Sequence, residues 1–512
     1  MSDSPQNSRL GLSRAGDFSA TTLVLLAFLT MFAFLVMGYH PGLEDDAFYL
    51  AAIKRNLNPA LFPHDSEFFR LQFQATIFDK LIAWSVRLSH LPLAWTALLW
   101  QFAAIFLLLH GCWRISRRCF SGASAQWAAV TTVAVLLTLP VSGIAMTLAD
   151  QYLHPRTLAT AAILAAIVAV IDRRLWIAGV LLAIAFAIHA IMASFGISFC
   201  FFLFWSLRAS ETRQPSAMPV TAALLLPLGW LFEPASDAWR QAAATRSFYF
   251  IGRWEWYEWL GVFAPLILIY ALQRFLRRED RSDGSALPPL VSSLLYYGVF
   301  QTSAGLLVML PPSLERLRPF EPMRYLHLLY LLFFLIGGGL LGRYVLDRKT
   351  YRWLLLFVPL SAGMFYAQRQ MYPASAHLEL PGVAPQNAWL QAFAWVRQNT
   401  PVDSLFALDP RYVTLPGEDY HGFRALAERS VLADYDKDGG MAARVPRLAP
   451  RWLKEVNAQS GWRNFQAADF HRLKKEFGVT WVILSRPAAE GPDLQEMMCP
   501  YQNHQLQVCR LY

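Results

Sequence analysis

Apolar runs of roughly 16–24 residues, each closed by a short polar stretch, recur through the first 370 residues and match the ~20 residues an α-helix needs to cross a ~30 Å hydrocarbon core. Strands of a membrane barrel would alternate apolar and polar positions, so the runs imply helices. Composition agrees: 55% of the 512 residues are hydrophobic, only 16% are charged, and the mean hydropathy is +0.31. The expected fold is an all-α polytopic membrane domain over 1–370, with about eleven transmembrane helices, followed by a small α/β domain over 385–512.

The bias of Lys and Arg towards one side orients the spans. Arg9 and Arg14 put the N-terminus in the cytoplasm. Residues 19–38, with no cleavage site after them, read as a retained first span and not a signal peptide. The first external loop is then 39–91, in which 72–91 is amphipathic at helical spacing and reads as a helix lying in the interface. Further spans are expected near 92–112, 124–146 and 157–171. The run 175–207 is long for one helix and short for two. A hairpin keeps Arg274, Arg277, Arg278 and Arg281 inside, so the hairpin is preferred. The remaining spans fall near 217–232, 257–273, 287–310, 325–341 and 352–367. The formal net charge of +9 is dispersed over helix ends; it reads as topology signal and phospholipid contact, not as a nucleic-acid surface.

From residue 385 the composition becomes that of a soluble domain. NAWLQAFAWVRQNTP reads as a helix stopped at Pro401. Strand candidates are 404–408, 429–435, 479–484 and 506–512. Cys499 and Cys509 would lie in an oxidising compartment, where their spacing permits a disulfide. None of the five cysteines has the spacing of a zinc site.

The densest chemistry lies just after the first span, where Glu44, Asp45 and Asp46 stand together. Carboxylates beside a membrane span are costly unless solvated, paired or used. Capping of the helical-looking AFYLAAIKRN competes with a catalytic role. Catalysis would use Asp45 and Asp46 to take a proton from a hydroxyl, with Glu44 beside them in substrate binding. His64 and Asp65 lie in the same loop, as substrate contacts or a solvated turn. Asp150 and Arg156, with Tyr152 and His154 between them, open the fourth span, and Arg156 either contacts substrate or snorkels to headgroups. His189, mid-run, is a ligand or an interhelical hydrogen-bonding residue. Arg324, after Pro319 and Pro322, suits a phosphate, joined by Arg246, Arg253 and Arg318. A divalent cation (Mg, Mn or Ca) bridging Asp45, Asp46 and Asp150 is compatible with these hard oxygen ligands.

A cytoplasmic N-terminus, one span, a first external loop with Asp-Asp-Ala-Phe-Tyr at 45–49, an interfacial helix, some ten further spans and a soluble C-terminal domain together resemble the GT-C superfamily of membrane glycosyltransferases. That superfamily includes protein O-mannosyltransferases, aminoarabinose transferases and oligosaccharyltransferases. The resemblance implies an enzyme of a bacterial inner membrane that moves a sugar from a polyprenyl-phosphate-linked donor to an acceptor glycan, lipid or protein. By that resemblance Asp45 matches the catalytic aspartate, Asp46 its acidic neighbour, and Arg324 more loosely a lipid-phosphate contact. Asp-Asp stands where mannosyl-type transferases have Asp-Glu. Two alternatives come from other classes: a transporter or flippase of a lipid-linked or anionic substrate, and a membrane scaffold. Transporters put ionisable residues near the midplane, and the span interiors here are nearly charge-free, which favours the enzyme.

Overall fold

The structure, a computed structural model, describes residues 18–212, 235–278, 285–415, 418–485 and 497–511. Helix α1 (Ala20–Met37) starts at Ser19, whose side chain accepts the Thr22 N–H, and ends at Gly38, which takes φ 82°. The first loop carries α2 (Asp46–Leu57), α3 (Arg70–Ala75) and α4 (Phe78–Ser89). Then follow α5 (Leu93–Cys119), α6 (Ala123–Val135), a hairpin of β1 (Pro140–Val141) and β2 (Met146–Thr147), α7 (Pro155–Ile171), α8 (Leu175–Ile188) and α9 (Ala190–Thr212). After residue 235 come α10 (Asp237–Ala244), α11 (Trp256–Arg278), α12 (Leu287–Met309), α13 (Tyr325–Leu341) and α14 (Thr350–Met371).

Six described helices are long and apolar enough to cross a bilayer: α1, α5, α9, α11, α12 and the helical stretch Pro322–Leu346 around α13. Helices α7 and α8 are apolar but shorter. Contacts between helix ends order the bundle. Arg118 pairs with Asp172 at 2.7 Å, the Ala286 N–H donates to Arg118 O, and Ser124 Oγ donates to Gly342 O. The ends of α5, α7 and α13 and the starts of α6 and α12 therefore share one end of the bundle, rich in arginine. At the other end, the Tyr39 N–H donates to His377 O and the His40 N–H to Gln151 O, which joins the end of α1 to the end of α14 and the start of α7.

Two of the sequence expectations need adjustment. The expected span 124–146 is helical only over α6, after which β1 and β2 turn back towards the cavity described below. The amphipathic stretch 72–91 is split between α3 and α4, with Thr76 and Ile77 between them tying the chain to α8: Thr76 Oγ1 donates to Ile188 O and the Ile77 N–H to Ala187 O. Those bonds satisfy carbonyls at the end of α8, so 175–207 breaks at His189 with neither Gly nor Pro. The reversal there matches the hairpin reading: His189 lies 6.2 Å ring to ring from His154 at the start of α7, while Gly196 packs against Ile163 further along it. The expected span 217–232 lies outside the described residues.

The C-terminal region contains α15 (Ala388–Asn399), β3 (Leu405–Ala407), α16 (Phe423–Ala427), β4 (Ser430–Val431), α17 (Lys437–Arg444), α18 (Ala449–Ala458), α19 (Ala467–Phe477), β5 (Trp481–Ser485), β6 (Met498–Gln502) and β7 (Leu506–Arg510). The sheet order is β4-β3-β5-β7-β6. Strand β3 runs parallel to β4 and β5, and β7 antiparallel to β5 and β6. Strand β6 was not among the expected strands; the Cys499–Cys509 disulfide joins it to β7. This domain is not set apart from the rest, because Phe68 of the first loop and Trp239 of α10 share a buried core with Ala433, Leu448 and Trp452.

Candidate active site

Gly42, at φ 84°, turns the chain after α1. Its N–H donates to Asp46 Oδ2 at 2.6 Å, so Asp46 locks this turn with a buried carboxylate. Burial pushes Asp46 up to about 7, against the opposing effect of that hydrogen bond. Asp45 immediately precedes α2 and makes no side-chain cap. Its side chain keeps 34% exposure on the wall of a cavity of about 670 Å³, within the usual range for small-molecule sites. Burial opposes ionisation of Asp45, but Lys437, with Arg444 and Arg156 behind it, outweighs burial and holds the carboxyl well below the usual range. The structure thus divides two acids that sequence had grouped as catalytic.

The start of α7 faces Asp45. The Asp45 N–H donates to Tyr152 Oη at 3.3 Å. His154 Nδ1 accepts the Arg156 N–H at 2.9 Å, so the neutral ring carries its proton on Nε2, which lies 3.9 Å from Asp45 Oδ2. Burial pushes the His154 imidazole well below its ordinary range and keeps it neutral. Arg156 grips Asp150 through Nε and a terminal nitrogen, and Gln101 Nε2 donates to Asp150 O at 2.8 Å.

The cations come from three further places. Arg246 follows α10, Arg324 precedes α13, and Lys437 and Arg444 are the first and last residues of α17; all four line the cavity. Lys437 is paired with Glu44 and lies 3.8 Å from Asp45 Oδ1. Glu321 bridges Arg324 and Arg444, the latter at 2.6 Å, and accepts from Tyr249 Oη at 3.4 Å. Glu321 and Glu44 hold these positions with φ of 54° and 49°, in the left-handed region that costs a non-glycine residue about 1–3 kcal/mol. Pairing leaves the cavity uneven in charge. Arg324 and Arg444 share one carboxylate, Glu321, and Arg246 acts on Asp436, whereas Glu44 and Asp45 share one ammonium, Lys437. An anionic group is favoured beside the arginines, and a hydroxyl to be deprotonated beside Asp45.

Of the residues singled out from sequence, Glu44, Asp45, Asp150, Tyr152, Arg156, Arg246 and Arg324 line this cavity. The others do not. His64 Nε2 contacts Asp403 O at 3.0 Å on the surface, and buried Asp65 accepts from Arg424 Nε and the Val431 N–H; both fasten the first loop to the C-terminal domain. His189 sits behind His154 and accepts the Met192 N–H. Arg253 and Arg318 line a separate cavity. Among the described residues no three His, Cys, Asp or Glu side chains are grouped to hold a metal ion; Asp46 is turned away to Gly42 and Asp150 is engaged by Arg156. Lys437 and Arg444 were missed. Their seven-residue spacing puts them on one helical face, but nothing in the sequence says that this face meets the membrane domain.

Residues 387–443 match a family described as a domain of unknown function (DUF6798). No curated protein matches the chain. The matched stretch runs from the start of α15 into α17, so it takes in Lys437 and stops one residue short of Arg444.

Proposed function

We propose that this chain is an inverting membrane glycosyltransferase that moves a sugar from a polyprenyl-phosphate-linked donor to an acceptor hydroxyl at the outer face of a bacterial cytoplasmic membrane. The observation that carries this reading is the cavity that sets an ionised, partly exposed Asp45 against Arg324 and Arg444, which share a single carboxylate, with Arg246 on the same wall. In the reaction, the acceptor oxygen attacks the anomeric carbon and the bond from that carbon to the lipid phosphate breaks. The acceptor proton passes to Asp45, and the phosphate leaves with the electron pair towards Arg246, Arg324 and Arg444. Because its pKa is depressed, Asp45 orients the hydroxyl first and takes the proton late, once bond formation has made it acidic. Fixed charges at the leaving phosphate supply the larger stabilisation.

Orientation follows from the arginine-rich end opposite the cavity, where Arg117, Arg118, Arg173 and Arg174 favour the cytoplasm and leave the cavity and the C-terminal domain outside. The test compares envelope glycans and lipid-linked sugars by mass spectrometry in a deletion strain carrying wild type or Asp45→Asn at matched membrane levels. A glycan that disappears on deletion and returns only with wild type supports the reading. Full restoration by Asp45→Asn, or no glycan change on deletion, overturns it.

A further inference from the structure

A second cavity, of about 260 Å³, lies across Tyr249 from the first, and Tyr249 contributes to the walls of both. Its wall carries three arginines and one carboxylate. Arg240 donates twice to Oε1 of that carboxylate, Glu315, at 3.1 and 3.2 Å, and the charge of Glu315 also reaches Arg318. Arg253 and Arg318 both lie against the ring of Phe250, at 4.6 and 5.3 Å from its centre, and neither makes an ion pair among the described residues. Arg318 Nε is buried without an acceptor among the described residues. Two planar guanidiniums fixed by one aromatic ring, with donors unspent, suit a phosphate.

The surroundings decide which phosphate. The cavity lies where α12 ends and α11 begins, two helices long and apolar enough to cross a bilayer. Leu307 and Trp256, at those ends, are 70% and 74% exposed, and Tyr257, Leu310 and Phe320 are exposed beside them. An aromatic and aliphatic border of this kind belongs to the headgroup layer. We infer that this cavity binds the phosphate of an anionic phospholipid headgroup, held by Arg253 and Arg318 with its acyl chains along α11 and α12. The site is independent of sugar transfer.

The test titrates the full chain in detergent with phosphatidylglycerol, with phosphatidylcholine, and with phosphatidylglycerol in the presence of millimolar inorganic phosphate, counting bound lipids by native mass spectrometry. Wild type is expected to hold one phosphatidylglycerol about tenfold more tightly than the Arg253→Gln/Arg318→Gln variant, the loss expected for charge-assisted hydrogen bonds. Preference over phosphatidylcholine and indifference to inorganic phosphate are expected too. Asp45→Asn should bind lipid as wild type does, which separates this site from the transferase reading. Equal binding by the double variant overturns the proposal, as does equal binding of phosphatidylcholine. Displacement by inorganic phosphate makes it a free-anion site and equally overturns the lipid assignment. If the double variant does not fold, Arg253→Gln alone carries the comparison, since Arg253 is exposed and its side chain, lying over Phe250, makes no hydrogen bond or ion pair among the described residues.

Discussion

Adjacent carboxylates at 45 and 46 have opposite surroundings, and that difference is testable residue by residue. Asp45 opens onto the cavity and is held ionised by Lys437 once the cost of burial is overcome. Replacement by Asn keeps the shape and removes the proton acceptor, so the proposed sugar transfer should fall by about 10²–10⁴-fold with the thermal midpoint little changed. Asp46 is turned to Gly42 and burial raises it to about 7. Asn at 46 can still accept the Gly42 N–H, so activity should persist. The sign of the stability effect is also fixed. A carboxyl whose folded pKa is raised contributes stability below its unfolded value, near 3.8, and loses it as pH rises through about 7. Asp46→Asn should therefore flatten this part of the pH dependence of thermal unfolding; a melt series from pH 4 to 8 checks it.

At the scale of elements, α17 couples the C-terminal domain to the cavity. Lys437, Gly440, Met441 and Arg444 follow the spacing of one helical face and all line the cavity. Gly440 is on that face because a side chain there would meet Arg246: an added Cβ would come within 2.5 Å of Arg246 Nε. The neighbour is the far end of a flexible side chain, so Gly440→Ala should displace the guanidinium without unfolding the helix. Its higher helix propensity offsets the crowding by about 1 kcal/mol. Expected are an unchanged or slightly raised thermal midpoint and a loss of activity, measured on the same preparation. Activity equal to wild type would remove Arg246 from the working site.

For the whole molecule, the decisive feature is the seam between the first loop and the C-terminal domain. Buried Arg424 bonds to Asp65 of the loop and to both oxygens of Asp438, at 2.8 and 2.9 Å. Arg424→Met leaves two buried carboxylates facing each other, and should cost about 3–5 kcal/mol, seen as a large drop in the thermal midpoint. A second tie joins His421 Nε2 to Glu379 at 3.1 Å, with His40 3.8 Å from the same carboxylate. Burial opposes the charge on His421, yet Glu379 and Glu418 overcome it and raise the group to about 10. Burial likewise opposes the charge on Glu379, but His421 and His40 hold it down at about 2. The raised histidine contributes fully below 6.5 and fades as pH climbs towards about 10; the lowered glutamate contributes fully above 4.5 and fades as pH falls towards about 2. This tie should be strongest between pH 4.5 and 6.5. Wild type should lose thermal stability from pH 6.5 to 10 more steeply than His421→Gln, and parallel slopes would count against it.

The amino-acid sequence by itself determined the helical bundle, because apolar runs of membrane-spanning length have few other ways to satisfy their backbone. It also marked the acidic turn after the first span and the candidate cations Arg246 and Arg324, and it permitted, without requiring, the Cys499–Cys509 disulfide that the fold forms. Only the tertiary structure decided which acid faces the cavity, since Asp45 and Asp46 are chemically identical and differ by one helical step of about 100°. It alone turned His64 and Asp65 into fasteners of the seam, stopped the third span at Val135, and brought Lys437 and Arg444 to a cavity some 390 residues away in the chain from Glu44 and Asp45. Periodicity records which face of an element is apolar, and it carries no record of which distant element that face will meet.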